Sequence, residues 1–150
     1  MSNETSSNDQ VLSFNAADSE ESRQELADFM AEQEQKLASF PPTGDIVELA
    51  LIKRDLADAA VGLGQMEEAW VHARQAFNTF IEKERWQEAV ECAEILFRTD
   101  QPASVVALGH AMWLAVTYPI DPQLTINVLN HFIEETSAKA DGAAVVAIVA

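Results

Sequence analysis

Cysteine and basic residues are both scarce in this chain of 150 residues. Cys92 is its one cysteine, which excludes an intramolecular disulfide and makes a reducing, cytoplasmic setting the expectation. Nine Lys and Arg stand against 25 Asp and Glu, and the formal net charge is −16 at pH 7. A nucleic-acid surface needs clustered cations that release counterions, and the pair Lys53–Arg54 is the largest cluster here. Nucleic acid is therefore not an expected partner.

Glycine, proline and long apolar runs are also limited. Five Gly and five Pro in a chain that is 48% hydrophobic predict a compact and mostly helical body. No apolar stretch reaches the ~18–20 residues that span a bilayer, so membrane insertion is not expected. The first ten residues, MSNETSSNDQ, are polar and acidic and do not resemble a signal peptide.

Negative charge is concentrated near the N-terminus. Acidic side chains occur repeatedly between Glu4 and Glu34, where Arg23 is the one basic residue. Residues 1–17 have low periodicity and are expected to form a disordered acidic tail, which leaves residues 18–150 as one helical-repeat domain. We expect deletion of this tail to leave the domain folded.

Helical periodicity and helix-end signals predict an all-α fold with no sheet. Pro41 and Pro42 end the first helix, and Asp121 with Pro122 begins the sixth. The predicted helix starts are Asp18 or Ser19, Thr43 as a cap, Met66, Glu84–Trp86, Pro102 and Pro122. Asp141 is predicted to cap a short seventh helix over residues 142–150.

The helix starts recur at a period of roughly 35 residues, because the starts near Met66 and Trp86 are followed by starts near Pro102 and Pro122. Such a period indicates an array of two-helix units, here three antiparallel hairpins. The fifth helix is apolar nearly all round, so we expect it to be the most buried element.

Short motifs in these helices resemble those of the tetratricopeptide-repeat superfamily. The fifth helix contains Val105-x-x-Leu108-Gly109-x-x-Met112, and the third contains Trp70-x-x-Ala73-x-x-x-Phe77. The strings Gly64-Gln-Met-Glu-Glu-Ala69 and Trp86-Gln-Glu-Ala89 are similar to the turn that leads into the second helix of a repeat.

The resemblance implies a right-handed superhelix of three antiparallel hairpins closed by a C-terminal capping helix. It also implies that Gly109 lies at a close helix–helix contact, and that the first helix of each hairpin lines a groove. The candidate partner-binding residues are then Lys53 and Arg54 at the rim, with His72, Arg74, Asn78 and His110 in the groove.

No motif predicts catalysis, a cofactor or a metal centre. Glu68-x-x-x-His72 and His131-x-x-Glu134 are the nearest approach to paired metal ligands, and both are ordinary helix-surface pairs. Cys92 has Glu91 and Glu94 as sequence neighbours, which raise the pKa of a thiol. The chain is therefore not expected to be an enzyme.

Three functions fit these observations. The first is an adaptor or accessory protein that binds a peptide or helix of a partner in a helical-repeat groove. The second is a small acidic chaperone for a secreted or assembling protein, similar to the tetratricopeptide-type chaperones of secretion systems. The third is a regulatory or structural subunit of a larger enzyme complex. A second copy of the chain is a further candidate partner. Trp70, Trp86 and Trp113 are expected in the core or at an interface.

Overall fold

The computed structural model describes the backbone of residues 5–149 and the side chains of residues 19–140. Within this part of the chain the secondary structure is entirely helical, which confirms the all-α class. The six helices are α1 (Thr5–Ala38), α2 (Ile46–Gly62), α3 (Met66–Glu82), α4 (Trp86–Arg98), α5 (Ser104–Thr117) and α6 (Pro122–Val149).

Helix starts agree with the sequence where the signal is local. Helices α3, α4 and α6 begin at Met66, Trp86 and Pro122, as predicted. The Asp121 carboxylate accepts hydrogen bonds from two backbone N–H groups of α6, those of Gln123 at 2.9 Å and Leu124 at 3.2 Å. These bonds satisfy donors that a helix N-terminus otherwise leaves free.

Two predicted helix starts are wrong by two residues. Asp45, not Thr43, caps α2: its carboxylate accepts from the Val47 N–H at 2.7 Å while its own backbone is extended. Helix α5 begins at Ser104 and not at Pro102, because a turn with a 2.9 Å bond from the Ser104 N–H to the Gln101 carbonyl precedes it.

The terminal helices are longer than predicted. Helix α6 continues through Asp141 to Val149, so the predicted seventh helix is not a separate element. No proline interrupts this segment, and a Lys139–Glu135 ion pair at i,i+4 supports the continuing turn. Helix α1 begins at Thr5, before the predicted start. The side chains of residues 1–18 and 141–150 lie outside the described residues, so the disordered tail and the packing of the C-terminal segment stay predictions.

Helices adjacent in sequence pack against each other, and α4 also contacts both α2 and α6. Helices α2, α4 and α6 therefore form one row. Helices α3 and α5, by contrast, make no backbone contact with each other. Both pack on α4, so one side of α4 lies beneath the space between them.

Alanine makes the close approach of these helices possible. The interior contains a few large side chains, among them Phe80, Leu56 and Leu108, embedded in small ones. The alanines with no exposed surface are Ala57, Ala60, Ala69, Ala73, Ala76, Ala89, Ala93 and Ala111. Because these residues are small, the backbones of α3 and α5 each pack closely against α4, and this packing sets the distance between α3 and α5.

Gly109 does not lie at a close helix–helix contact, contrary to the prediction. Apart from the adjacent backbone of α5 itself, a Cβ atom placed on Gly109 would meet no described atom within 4 Å, and the residue is exposed. Gly62 on α2 does lie at a close approach, because a Cβ there would clash with Cδ2 of Leu26 on α1.

Helix α5 is not the most buried element either. Four of its large apolar side chains are exposed: Val105, Val106, Trp113 and Val116. The reason is topological, since α4 and α6 cover only one side of α5. The apolar residues of α5 lie on all sides of the helix, but neighbouring helices cover only one side. The apolar residues on the other side therefore stay exposed.

Candidate binding groove between α3 and α5

The space between α3 and α5 forms a groove of about 300 Å³ with α4 as its floor. Helix α4 contributes Ala93 and Leu96, both buried. The walls come from α3 and from α5 with the turn before it. The wall residues are Trp70, Arg74, Phe77 and Asn78 on one side and Ala103, Val106, Ala107 and His110 on the other.

A second compartment of about 200 Å³ continues the groove toward the C-terminal ends of α3 and α5. Its lining residues are Phe77, Ile81, His110, Trp113 and Leu114. Phe77 and His110 border both compartments, and their rings stack across the groove with centroids 6.0 Å apart and planes 12° apart. This aromatic pair divides the groove into two sites, each large enough for side chains of a partner.

Exposed apolar surface is concentrated on the α5 side of this groove. Val106 is 61% exposed and Trp113 is 58% exposed. Trp113 makes an edge contact with Tyr118, whose other neighbour is Trp86 in a parallel stack at 4.1 Å. The exposed indole is thus held in position by packed aromatic neighbours.

Arg74 is the one Lys, Arg, Asp or Glu among the residues that line the groove. In the part of the chain with described side chains, the ion pairs made by Lys and Arg involve Lys36, Arg54, Arg85, Arg98 and Lys139, and none includes Arg74. A chain of net charge −16 therefore presents an uncompensated cation at the edge of an apolar groove.

Three of the six predicted partner-binding residues meet in this groove. Arg74 and Asn78 are one turn apart on the exposed side of α3, and His110 faces them from α5. Arg74 and Asn78 share one side of α3 because they are four residues apart, and His110 faces them because α5 lies across the groove from α3.

The other three lie elsewhere. Lys53 lines a depression beside Pro41 and Pro42, at the α1–α2 turn. His72 is half-buried on another side of α3, where its Nε2 lies 3.8 Å from a Glu68 carboxylate oxygen. Burial lowers the pKa of His72, and the Glu68 charge offsets this only in part. Its Nδ1 atom is buried without a hydrogen-bond partner among the described residues.

Arg54 belongs to a network on the opposite side of α4, which we call the charged face. Its residues are Arg54, Asp55, Asp58, Glu91, Glu94 and Arg98, from α2 and α4.

Within the charged face each guanidinium bridges two carboxylates. Arg54 donates to Glu91 at 2.7 Å and to Asp55 at 3.0 Å, and Arg98 donates to Glu94 at 3.0 Å and also pairs with Asp58. Partial burial lowers the pKa of Arg54, but the hydrogen bond to Asp55 and the charges of Asp55 and Glu91 outweigh it, so the pKa is raised. These cations are already paired inside the chain.

The sequence did not identify the apolar lining of the groove. From the sequence, Phe77 is part of a repeat motif, Val106 belongs to the helix expected to be most buried, and Trp113 is expected in the core or at an interface. The composition of α5 is the sequence signal that could have revealed this lining. Its apolar residues occur around the whole helix, whereas a surface helix buries a single apolar stripe.

Three further features of the described residues concern a thiol, metal ligands and membrane insertion. Cys92 is buried in the core, and burial raises the pKa of its thiol. Among residues 19–140, no three His, Cys, Asp or Glu side chains come together as metal ligands. None of the helices in the described range is both long and apolar enough to cross a membrane.

Comparison with known proteins gave no match: no protein-family model, curated protein or solved structure is significantly similar to this chain. The function of the groove must therefore be inferred from its own residues.

Proposed function

We propose that the chain is a non-enzymatic protein–protein interaction module, an adaptor or accessory protein, that binds a peptide or helix of another protein between α3 and α5. The observation that carries this proposal is the exposed apolar surface of Val106 and Trp113 beside a preformed groove. Exposed aromatic and aliphatic side chains at the edge of a concave site are typical anchors for a partner.

The groove also indicates the chemistry of the partner. Its two compartments, about 300 and 200 Å³, are at or below the lower end of the roughly 300–1,000 Å³ range of small-molecule clefts. Two apolar side chains on one face of a partner helix, three or four residues apart, match compartments on either side of the Phe77–His110 pair. A carboxylate of the partner next to the first apolar side chain would pair with Arg74.

The arrangement of the helices supports a tetratricopeptide-like superhelix as the architecture of this module. In the pairing α1–α2, α3–α4 and α5–α6, the walls of the groove come mainly from α3 and α5, the first helices of their pairs, and the floor comes from α4. A chaperone for a secreted or assembling protein would use the same groove, with a segment of its substrate as the peptide.

Selection from a phage-displayed random peptide library on the immobilised chain tests the proposal. We expect enriched peptides to carry two apolar residues three or four positions apart and one nearby Asp or Glu. Val106→Glu should weaken their binding by about tenfold or more, because it places a carboxylate in the apolar groove.

Val71→Glu is the matched control. Val71 is 49% exposed on α3 and does not line the groove, so the same change there should leave peptide binding intact. Equal loss of binding in both variants would contradict the groove as the site, as would selected peptides without apolar pairs.

Reversal of the groove charge tests the acidic residue of the partner separately. Arg74→Glu should disfavour the peptides selected by the original chain and should favour the same peptides with their acid changed to Lys. If the charge of the peptide has no effect in either protein, the groove binds apolar side chains alone and the inferred contact with Arg74 is wrong.

A further inference from the structure

We propose that the outer face of α5, formed by Val105, Gly109, Trp113 and Val116, binds the same face of a second copy of this chain as an antiparallel helix pair centred on Gly109. This interface adds to the groove between α3 and α5 and does not depend on the function proposed for the groove.

The outer face is one continuous strip of the helix. Its residues follow each other at intervals of four, four and three, which places them on one side of an α-helix. Val105 is 41% exposed, Val116 is 65% exposed, and Trp113 stands at the border between this face and the groove. No other described helix covers the strip, because α5 packs only against α4 and α6.

Gly109 at the centre of the strip has no explanation inside one copy. Glycine weakens the middle of a helix relative to alanine, and no packing contact among the described residues offsets that cost at position 109. Apart from the adjacent backbone of α5 itself, no described atom lies within 4 Å of the position its Cβ would take. A helix that crosses α5 at Gly109 can approach closely, since no side chain separates the two backbones.

The register of an antiparallel pair about Gly109 is self-complementary. With each Gly109 opposite the other, Val105 of one copy faces Trp113 of its partner, and the reverse contact forms on the other side of the axis. The contact between Val105 and Trp113 thus occurs twice with the two copies exchanged, which is the requirement for a two-fold symmetric interface.

Charge favours a second copy over a charged partner. Residues Ser104–Thr117 contain no Asp, Glu, Lys or Arg, so the outer face offers no ion pair to an acidic or a basic protein. Two chains of charge −16 repel each other wherever their carboxylates meet, and α5 is a described helix along which two copies can approach without opposing charges.

The interface is small, so the dimer is expected to be weak. One helix pair buries less than the roughly 800 Å² per partner of a standard interface, and the net charge of each copy opposes association. Added salt screens this repulsion, and the dimer should therefore become tighter as ionic strength rises, unlike an interface built from ion pairs.

Cysteine cross-linking tests the geometry. The native Cys92 is buried, so Gly109→Cys adds one accessible thiol next to the proposed two-fold axis. We expect mild oxidation to convert this variant into a covalent dimer. Val116→Cys, on the same face but away from the axis, should cross-link more slowly, and Val71→Cys on α3 should give only the background rate.

Cross-linking of Gly109→Cys no faster than that of Val71→Cys would overturn the proposal. Equal rates at positions 109 and 116 would overturn the antiparallel register. Circular dichroism of each variant before oxidation establishes that the helices are retained.

Sedimentation equilibrium of the unmodified chain tests the association itself. We expect a monomer–dimer equilibrium whose Kd falls several-fold between about 0.05 and about 0.5 M salt. Val116→Glu should abolish the dimer while Val71→Glu keeps it. A chain that stays monomeric at high concentration and high salt leaves the outer face to another occupant and overturns the proposal.

Discussion

One side of α4 is apolar and borders the groove, and its other side is charged. Toward α3 and α5, its residues Ala93 and Leu96 form the floor of an apolar groove with one uncompensated cation at the edge. On the other side, Glu91 and Glu94 join a network in which the two arginines each bridge two carboxylates. The polar groups of the charged face are thus satisfied by the chain itself, whereas the groove presents apolar surface that none of the described side chains covers.

This difference shows why net charge is a poor indicator of the binding surface here. Most described cations of the chain are held in ion pairs, and those of the charged face connect α2 to α4. Their role is to hold the row of helices together. The surface proposed to bind a partner is the apolar groove, whose lining contributes the single positive charge of Arg74 to the net charge of −16.

The largest expected effect concerns the floor of the groove. Leu96→Ala should lower the free energy of unfolding by about 2–5 kcal/mol, because Leu96 is only 5% exposed and packs in a core cluster with Ala73 and Ala107. Urea denaturation followed by circular dichroism measures this. Val106→Ala on the exposed wall is the control and should stay within about 0.5 kcal/mol of the original chain. Similar losses in both variants would mean that the wall belongs to the core.

A pair of arginine substitutions compares the two sides directly. Arg54→Met should lower the free energy of unfolding by about 1–2 kcal/mol, because it leaves Glu91 and Asp55 partly buried without their hydrogen-bonded cation. Arg74→Met, the same change in the groove, should have almost no effect on stability. If both variants unfold alike in urea, the charged face does not hold α2 to α4.

The ion pairs of the charged face could not be predicted from the sequence. Arg54 and Glu91 are 37 residues apart, and Arg98 and Asp58 are 40 apart. Which charges meet across such distances depends on the rotation of each helix about its axis, and helical periodicity fixes that rotation only approximately. Arg54 was accordingly expected at the rim of a groove.

Local signals gave most of the fold. The starts at Met66, Trp86 and Pro122 were predictable because a turn or a cap is encoded within a few residues. Arg74, Asn78 and His110 were placed in one groove from helical spacing together with the resemblance. The exposure of α5 and of Gly109 was not predictable, since it depends on how many neighbours cover a helix, which no local pattern contains.

Gly109 allows a test of that exposure. Gly109→Ala should raise the free energy of unfolding by about 0.5–1 kcal/mol at concentrations where the chain is monomeric, because the methyl group meets no neighbour and alanine favours the helix. Gly62→Ala is the matched control and should gain less, since Leu26 must move to admit the methyl group. A loss of stability at position 109 would mean that another helix packs there after all.

The smallest effect is expected from His72, a polar residue outside both the groove and the charged face. Burial lowers its pKa in the folded chain, so the unfolded chain binds its proton more readily. Stability should then decrease as the pH falls below about 6.5, the ordinary value for histidine, and should be fully present above it.

Thermal melts at pH values between about 5 and 7.5, on both sides of the ordinary histidine pKa, measure this contribution to stability. His72→Gln should reduce the slope of melting temperature against pH in that range, and His110→Gln is the exposed control. An unchanged slope in His72→Gln would assign the pH dependence to other groups.

The row formed by α2, α4 and α6 has a mechanical consequence. Helix α4 contacts both α2 and α6 along the row, whereas α3 and α5 make no backbone contact with each other. The array is therefore closed on the side of the row and open between α3 and α5. A change in the width of the groove requires α3 and α5 to rotate about α4, with α3 shifting against α2 and α5 against α6. The helices can keep their own hydrogen bonds, while the Phe77–His110 stack across the opening must shift. If the groove binds a partner as proposed, such a rotation would fit it to partners of different thickness while the ion pairs of the charged face are kept.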